Sequence, residues 1–331
     1  MKQNYWNQKP SSFAKTVELV ERYVLREIKQ EIKQKGLRYH NLDHALAVKR
    51  RAKTIFDAIK PVLAQDHSSK ELLRLESLID LCALAHDMVQ LFDSAISADQ
   101  PRKHIAGASE TETANKLLKY IHCLNQELKT YNLDSAILFN DHDQQIIRDA
   151  IAATVCKSDP QAGKVSHTFS IHSIYQPYLY ESGAKISVVG SIIALADLGT
   201  LGIDGIDKYI QDGILVFLEN NPDYEQLIEQ LISDGYFQVE QGYYHCSFAA
   251  DSKIKTRLLT MTKFMINFAH ERKARFELEI SGFAPLAQQI LRNQIFVHLS
   301  QETIDKIETI IPSQENVSLK ELVNFFRVPK S

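Results

Sequence analysis

The chain has 331 residues, of which 44% are hydrophobic and 24% charged, and its formal net charge is −3. These values are typical of a globular protein, and they exclude a largely disordered chain and a generally basic nucleic-acid binder. Glycine and proline, with 12 and 9 residues, occur at about half their usual frequency. Because sandwiches and barrels need many tight turns, this composition favours an all-α fold.

Apolar residues at helical spacing predict helices along most of the chain. The predicted helices span residues 13–33, 42–59, 70–87, 103–122, 143–156, 186–198, 206–219 and 252–277, and two or three shorter ones follow. Gly36 is expected to end the first helix, Asn41 to cap the second and Pro61 to stop it. The aromatic segment 235–248 predicts a short hairpin that turns near Gly242.

The same patterns suggest the domain organisation and the compartment. We expect one domain over residues 1–205 and a mostly helical C-terminal extension over residues 206–331, with a soft boundary that allows both to pack as one unit. Four cysteines without CxxC spacing indicate free thiols in a reducing compartment. The longest uncharged apolar run, residues 186–196, is too short to span a bilayer, and residues 1–15 lack the apolar core of an export signal. We therefore expect a cytoplasmic protein without a membrane partner.

Histidine and aspartate residues stand where a metal ion could bind. His40 and His44 flank the start of the second predicted helix, His86 and Asp87 end the third, and Asp197 ends an apolar helix. An ionised carboxylate on the apolar face of a buried helix is costly unless it is paired or binds a metal. Imidazole with carboxylate ligands suits Mn, Fe, Ni, Co or Zn, whereas carboxylates alone favour Mg. Each residue alone is more simply explained as a core or capping residue, so the prediction depends on the ordered set.

The ordered set His44, His86-Asp87 and Asp197 resembles the HD superfamily of metal-dependent phosphohydrolases, which are helical proteins with metal ligands from separate helices. Residues 39–45 (YHNLDHA) are similar to the YHNxxHA string of cyclic-nucleotide phosphodiesterases. They are also similar to the RxYHNxxH string of small HD hydrolases, except that Arg38 directly precedes the tyrosine. Residues 196–202 (ADLGTLG) are similar to the DLxxLG string that closes the small HD hydrolase core. The resemblance covers residues 20–205, and it implies an HD-type helical bundle.

The resemblance implies specific roles for these residues. The ligands of one divalent metal ion would be His44, His86, Asp87 and Asp197. Asp87, also a catalytic candidate, would be able to bridge a second ion. His40 would be the general acid that protonates the leaving oxygen, while a metal-activated water attacks phosphorus. Arg38 and Lys157 are weaker candidates for substrate contact. The implied activity is hydrolysis of a small phosphorylated substrate such as a nucleotide.

Two departures from the family pattern leave alternatives open. Where two-metal HD enzymes have a Thr-x-x-His string, this chain has Cys156 and Lys157, and five further histidines between His86 and Asp197 match no string: His104, His122, His142, His167 and His172. The HDxxH string of phosphodiesterases is also missing, so cyclic-nucleotide cleavage is not implied. One alternative is a non-catalytic metal- or ligand-binding module with a regulatory role. The other is a di-iron oxygenase on the same scaffold, which needs two more histidine ligands. The substrate, the metal and the oligomeric state stay open.

Overall fold

A computed structural model describes residues 9–93, 101–158, 174–180, 186–246 and 252–327, and these residues form an all-α fold, as predicted. The helices are α1 (Phe13–Lys35), α2 (Leu42–Leu63), α3 (Ser69–Ala85), α4 (Ala108–Lys129), α5 (Asp141–Ala152), α6 (Val188–Asp197), α7 (Ile206–Asn220), α8 (Tyr224–Ser233), α9 (Ser252–Glu279), α10 (Pro285–Ile290), α11 (Gln301–Ile310) and α12 (Leu319–Phe325). Short 3-10 turns span Ser135–Ile137 and Pro177–Leu179, and π-helical turns span Thr200–Asp204 and Leu291–Ile295.

Among the described residues, two antiparallel strand pairs accompany the helices. Strands β1 (Lys157–Ser158) and β2 (Ile174–Tyr175) pair with each other, and β3 (Phe237–Glu240) pairs with β4 (Tyr243–Cys246). The second pair is the predicted hairpin, and Gln241 and Gly242 turn it with φ values of 48° and 84°. Residues 247–248 of the predicted hairpin lie outside the described residues, as do His167 and His172.

Local signals place the helix ends that matter for the candidate ligands. Gly36 ends α1 in the left-handed conformation, with φ of 62°, and its N–H donates to the carbonyl oxygen of Ile32. The side chain of Asn41 accepts the backbone N–H of His44 at 3.0 Å. Because Asn41 therefore caps α2, His44 lies in the first turn of that helix.

Several helix boundaries differ from the predictions, and α4 ends at Lys129, seven residues later than predicted. Helix α2 passes Pro61 and ends at Leu63, because a proline in the last turn removes only one amide donor and the Ala64 N–H still bonds to the Lys60 carbonyl oxygen at 2.9 Å. Helix α4 begins at Ala108, after Gly107 has turned the chain with φ of 79°. Helix α5 ends at Ala152, so Cys156 and Lys157 lie beyond it.

The apolar run at residues 186–196 forms a buried core helix. It corresponds to α6, which has ten residues, and every residue from Ile192 to Ala196 is fully buried. Within the described parts of the chain, no helix is both long enough and apolar enough to cross a membrane.

The largest hydrophobic core joins both regions that the sequence analysis separated. Its buried members from α1 to α6 include Val20, Phe56 and Leu117. Phe276 and Leu291, from the end of α9 and the turn after α10, belong to the same core. Part of residues 206–331 therefore packs directly onto the helices that carry the candidate ligands.

A buried arginine connects α2 to the end of α6. The fully buried Arg51 donates from Nε to the Ala196 carbonyl oxygen at 2.7 Å and from Nη1 to Asp204 Oδ2 at 2.9 Å. Arg50, with 56% of its side chain exposed, donates to the other oxygen of the same carboxylate at 2.7 Å. Because Ala196 directly precedes Asp197, the Arg51 contact helps to hold that candidate ligand in place.

Replacing Arg51 with methionine should destabilise the protein by about 3 kcal/mol, because it removes the side-chain donor to a buried carbonyl oxygen and half of a buried ion pair. Arg50→Met is the matched control, since it removes an exposed bond to the same carboxylate and should cost less than about 1 kcal/mol. Urea unfolding of both variants measures the difference. Equal effects would show that burial of Arg51 does not determine its contribution.

Candidate metal centre

Four candidate ligands from three parts of the fold lie together. His44 is in the first turn of α2, His86 and Asp87 directly follow α3, and Asp197 is the last residue of α6. One ligand atom of each lies within 4.8 Å of the ligand atoms of the other three. We refer to these four residues as the central cluster. All four were proposed as ligands from the sequence, and they could hold a metal ion.

The donor atoms of the central cluster face one another at short distances. The Nε2 atoms of His44 and His86 are 3.3 Å apart. Asp87 Oδ2 lies 3.2 Å from His44 Nε2 and 2.9 Å from His86 Nε2. Asp197 Oδ1 lies 3.7 Å from His44 Nε2 and 3.4 Å from His86 Nε2. Two imidazole nitrogens and two carboxylate oxygens form a donor set that suits zinc and the divalent metals iron, manganese, cobalt and nickel.

Electrostatics in the central cluster favour a positive charge at its centre. Burial by itself would lower the pKa of His86, but the carboxylates of Asp87 and Asp197 raise it well above its usual value. Burial would raise the pKa of Asp87, yet the neighbouring histidines hold it well below its usual range. The two carboxylates therefore favour positive charge beside them. A bound cation would supply that charge, and the histidine ligands would then be neutral.

Hydrogen bonds hold the candidate ligands from outside the cluster. Nδ1 of His86 lies 2.9 Å from the Ala83 carbonyl oxygen. Gln90 donates to Asp87 Oδ1 at 3.1 Å, and the fully buried Gln176 donates to Asp197 Oδ2 at 2.9 Å. Such partners orient metal ligands before the ion arrives. The sequence analysis did not assign either glutamine a role, and the position of Gln176 outside any helix offered no signal.

His40, the proposed general acid, lies beside the central cluster and is held by a glutamate from α7. Its Nε2 is 3.8 Å from Asp87 Oδ2, and its Nδ1 is hydrogen-bonded to Oε1 of Glu219. The other oxygen of Glu219 accepts the backbone N–H groups of Arg38, Tyr39 and His40 at 2.9, 2.8 and 3.0 Å. One buried carboxylate thus fixes both the loop before α2 and the His40 ring.

Glu219 was not predicted from the sequence, because it lies in the region expected to form an extension of unknown role. A signal was nevertheless present. Glu219 directly follows the apolar run 214–218, just as His86-Asp87 and Asp197 stand at the ends of apolar helices. Its side chain is 1% exposed, which is costly for a carboxylate without partners.

The charges of His40 and Glu219 stabilise each other. Burial would lower the pKa of His40, but Asp87 and Glu219 raise it from an ordinary 6.5 to about 9. Burial would raise the pKa of Glu219, but His40 and the loop N–H groups lower it from 4.5 to about 2. The contribution of His40 is complete below pH 6.5 and is lost as the pH rises through 9, and that of Glu219 is lost as the pH falls from 4.5 to 2.

Glu219→Gln should therefore destabilise the metal-free protein most between pH 4.5 and 6.5, where both contributions are complete. We expect a loss of about 2 kcal/mol there, typical of a hydrogen bond to a charged group. The loss should become clearly smaller above pH 9, because His40 is then neutral in the wild-type protein as well. Urea unfolding of both proteins in chelator across this pH range measures the difference, and a pH-independent difference would contradict the ion pair.

The other residues considered from the sequence, Arg38, Lys157 and Cys156, lie outside the central cluster. The exposed guanidinium of Arg38 pairs with both carboxylate oxygens of Glu225 in α8, at 3.0 and 3.1 Å. Lys157 has an exposed side chain in β1. Contact of either residue with a substrate stays a prediction. Burial raises the pKa of the Cys156 thiol, with further contributions from Asp197 and nearby acidic groups, so the thiol lies near the central cluster without belonging to it.

Comparison with protein-family models, with curated proteins and with solved structures finds no match for this chain.

Proposed function

We propose that this protein is a metal-dependent phosphohydrolase of the HD type, which cleaves a small phosphoester such as that of a nucleotide. The observation that carries the proposal is the convergence of two imidazoles and two carboxylates from three parts of the fold beside the buried His40–Glu219 pair. A metal-binding module without catalysis needs only the two imidazoles and two carboxylates. The oriented His40 is the additional feature that hydrolysis uses.

The central cluster fits a divalent cation in ligand type, in spacing and in charge. His44, His86, Asp87 and Asp197 would hold the ion. When bound, such an ion makes a water molecule nucleophilic at neutral pH and neutralises phosphoryl oxygens.

His40 is suited to donate the proton that the leaving group needs. In the proposed reaction a water oxygen bonds to phosphorus and gives up a proton to solvent, the bond from phosphorus to the leaving oxygen breaks, and that oxygen takes a proton from His40. The Asp87 and Glu219 carboxylates favour the charged form of the His40 ring. Glu219 accepts a hydrogen bond from Nδ1–H of His40. The Nε2 proton, on the side of Asp87, is then the one available for transfer to the leaving group.

The test is metal analysis of the 331-residue protein together with a hydrolysis screen that measures released phosphate and, by chromatography, nucleotide and nucleoside products. The screen should contain nucleoside mono-, di- and triphosphates, cyclic nucleotides, and alkyl and aryl phosphate esters. We expect about one tightly held metal ion per chain, as is usual for such a donor set, and phosphate release that chelation abolishes and added divalent metal restores. A retained metal without turnover on any substrate would favour the binding module. A protein that holds no metal would overturn the proposal.

A further inference from the structure

A second group of potential ligands lies directly next to the central cluster. It consists of His40, His104 and Glu219, and one ligand atom of each lies within 4.8 Å of the other two. We refer to these residues as the outer cluster. Only His40 takes part in the proposed reaction as a proton donor, and neither His104 nor Glu219 is a ligand candidate of the central cluster.

The fold holds His104 in place although its side chain is exposed. Its backbone pairs with Phe92 in an isolated antiparallel bridge, and the two rings are 4.6 Å apart. Two backbone hydrogen bonds hold the residues just before His104: Asp93 N–H donates to the Lys103 carbonyl oxygen at 2.8 Å, and Arg102 N–H donates to the Asn220 carbonyl oxygen at 2.7 Å. The His104 ring therefore stays 5.5 Å from that of His40, measured between ring centroids.

The outer cluster combines a buried negative charge with access from solvent. The Glu219 side chain is 1% exposed and that of His40 is 18% exposed, whereas His104 lies at the surface. Oε2 of Glu219 accepts three backbone N–H groups, and Oε1 is hydrogen-bonded to the His40 ring. Two imidazoles and one carboxylate are an established ligand set for zinc, with a fourth position left for water.

We propose that the outer cluster is a second zinc site, weaker than the central cluster, whose occupation inhibits the enzyme. It is weaker because it supplies three ligands in place of four, and one of them is exposed. Occupation inhibits because a zinc ion bound by His40 and Glu219 takes the place of the hydrogen bond between them, so the His40 ring is no longer held with its Nε2 toward Asp87 as a proton donor. The inhibition rests on the proposed function, whereas the zinc site does not.

Zinc titration of the full-length protein tests the site independently of activity. We expect wild-type protein to bind one zinc ion tightly and a second more weakly. His104→Ala should keep the tight ion and weaken the second by at least about 10-fold. The control is His122→Ala, because His122 is an exposed histidine in α4 outside both clusters, and this variant should bind both ions like the wild type. Weak binding that is unchanged in His104→Ala would overturn the second site.

Activity measured with excess zinc tests whether zinc in the outer cluster inhibits hydrolysis. Starting from protein with only the central cluster loaded, added zinc should inhibit phosphate release by the wild type, and His104→Ala should need at least about 10-fold more zinc for half-inhibition. Each protein is compared with its own activity without added zinc. A second bound zinc ion that leaves the activity unchanged would overturn the inhibition. If the wild type releases no phosphate, the proposed function fails, while the titration still decides whether the zinc site exists.

Discussion

Replacing Asp87 with asparagine is expected to abolish tight metal binding and to lower the proposed hydrolase activity at least about 10³-fold, because the several kcal/mol that a metal ion supplies are lost with it. Asp87 Oδ2 lies at the centre of the histidine contacts, 2.9 Å from His86, 3.2 Å from His44 and 3.8 Å from His40. Asparagine has nearly the same shape but no charge. The substitution therefore removes the ligand charge with little change in packing.

Metal content after dialysis, and competition with a chelator, measure the first part of this prediction. We expect metal affinity to fall more than about 100-fold, beyond what loss of a supporting residue costs. Asp43→Asn is the matched control, since Asp43 is an exposed carboxylate next to His44 in the first turn of α2. The control should retain both metal and activity. Wild-type metal content in Asp87→Asn would remove Asp87 from the ligand set.

Replacing His40 with glutamine should lower kcat by about 10²- to 10⁴-fold on alkyl phosphate esters, the usual contribution of a general acid. Metal binding by the central cluster should persist, since His40 is not one of its four members. Activity on p-nitrophenyl esters should fall far less, because that leaving group departs without protonation. Parallel kinetics on the two substrate types, with metal content measured on the same samples, test the prediction. Equal losses on both would show that His40 is not the proton donor.

Glu219→Gln distinguishes positioning from proton donation. Since Glu219 helps to raise the pKa of His40 to about 9, its replacement should shift the loss of activity on alkyl esters to lower pH. The fall in kcat should be smaller than in His40→Gln, because the proton donor itself remains. An unchanged pH profile would indicate that Glu219 only supports the loop.

Much of the central cluster could be predicted because its members occupy positions with local signals. Asn41 caps α2 and so puts His44 in the first turn, and Asp197 follows a fully apolar stretch of α6. A carboxylate at the end of a buried apolar helix needs a charged partner or a metal ion, whichever elements that helix packs against. The all-α class likewise followed from composition and apolar spacing, both of which depend on short-range preferences.

Other features depend on contacts between distant parts of the chain. Glu219 holds His40 across a separation of 179 residues, and Gln176 reaches Asp197 from a segment without helical periodicity. His104 was expected at the start of a helix, but Gly107 turns the chain and the backbone of His104 pairs with Phe92 instead.

The amino-acid sequence by itself determined the all-α class and the approximate positions of most helices, because capping and apolar spacing act within a few residues. The cost of burying charge pointed to histidine and aspartate residues at helix ends, and the resemblance to the HD superfamily implied the set of four central ligand candidates. Only the tertiary structure decided which residues orient those ligands and His40. That choice depends on how α7 and the segments around Gln176 and His104 pack against α2, α3 and α6. Hydrogen bonds between such distant groups leave no periodic pattern in the chain.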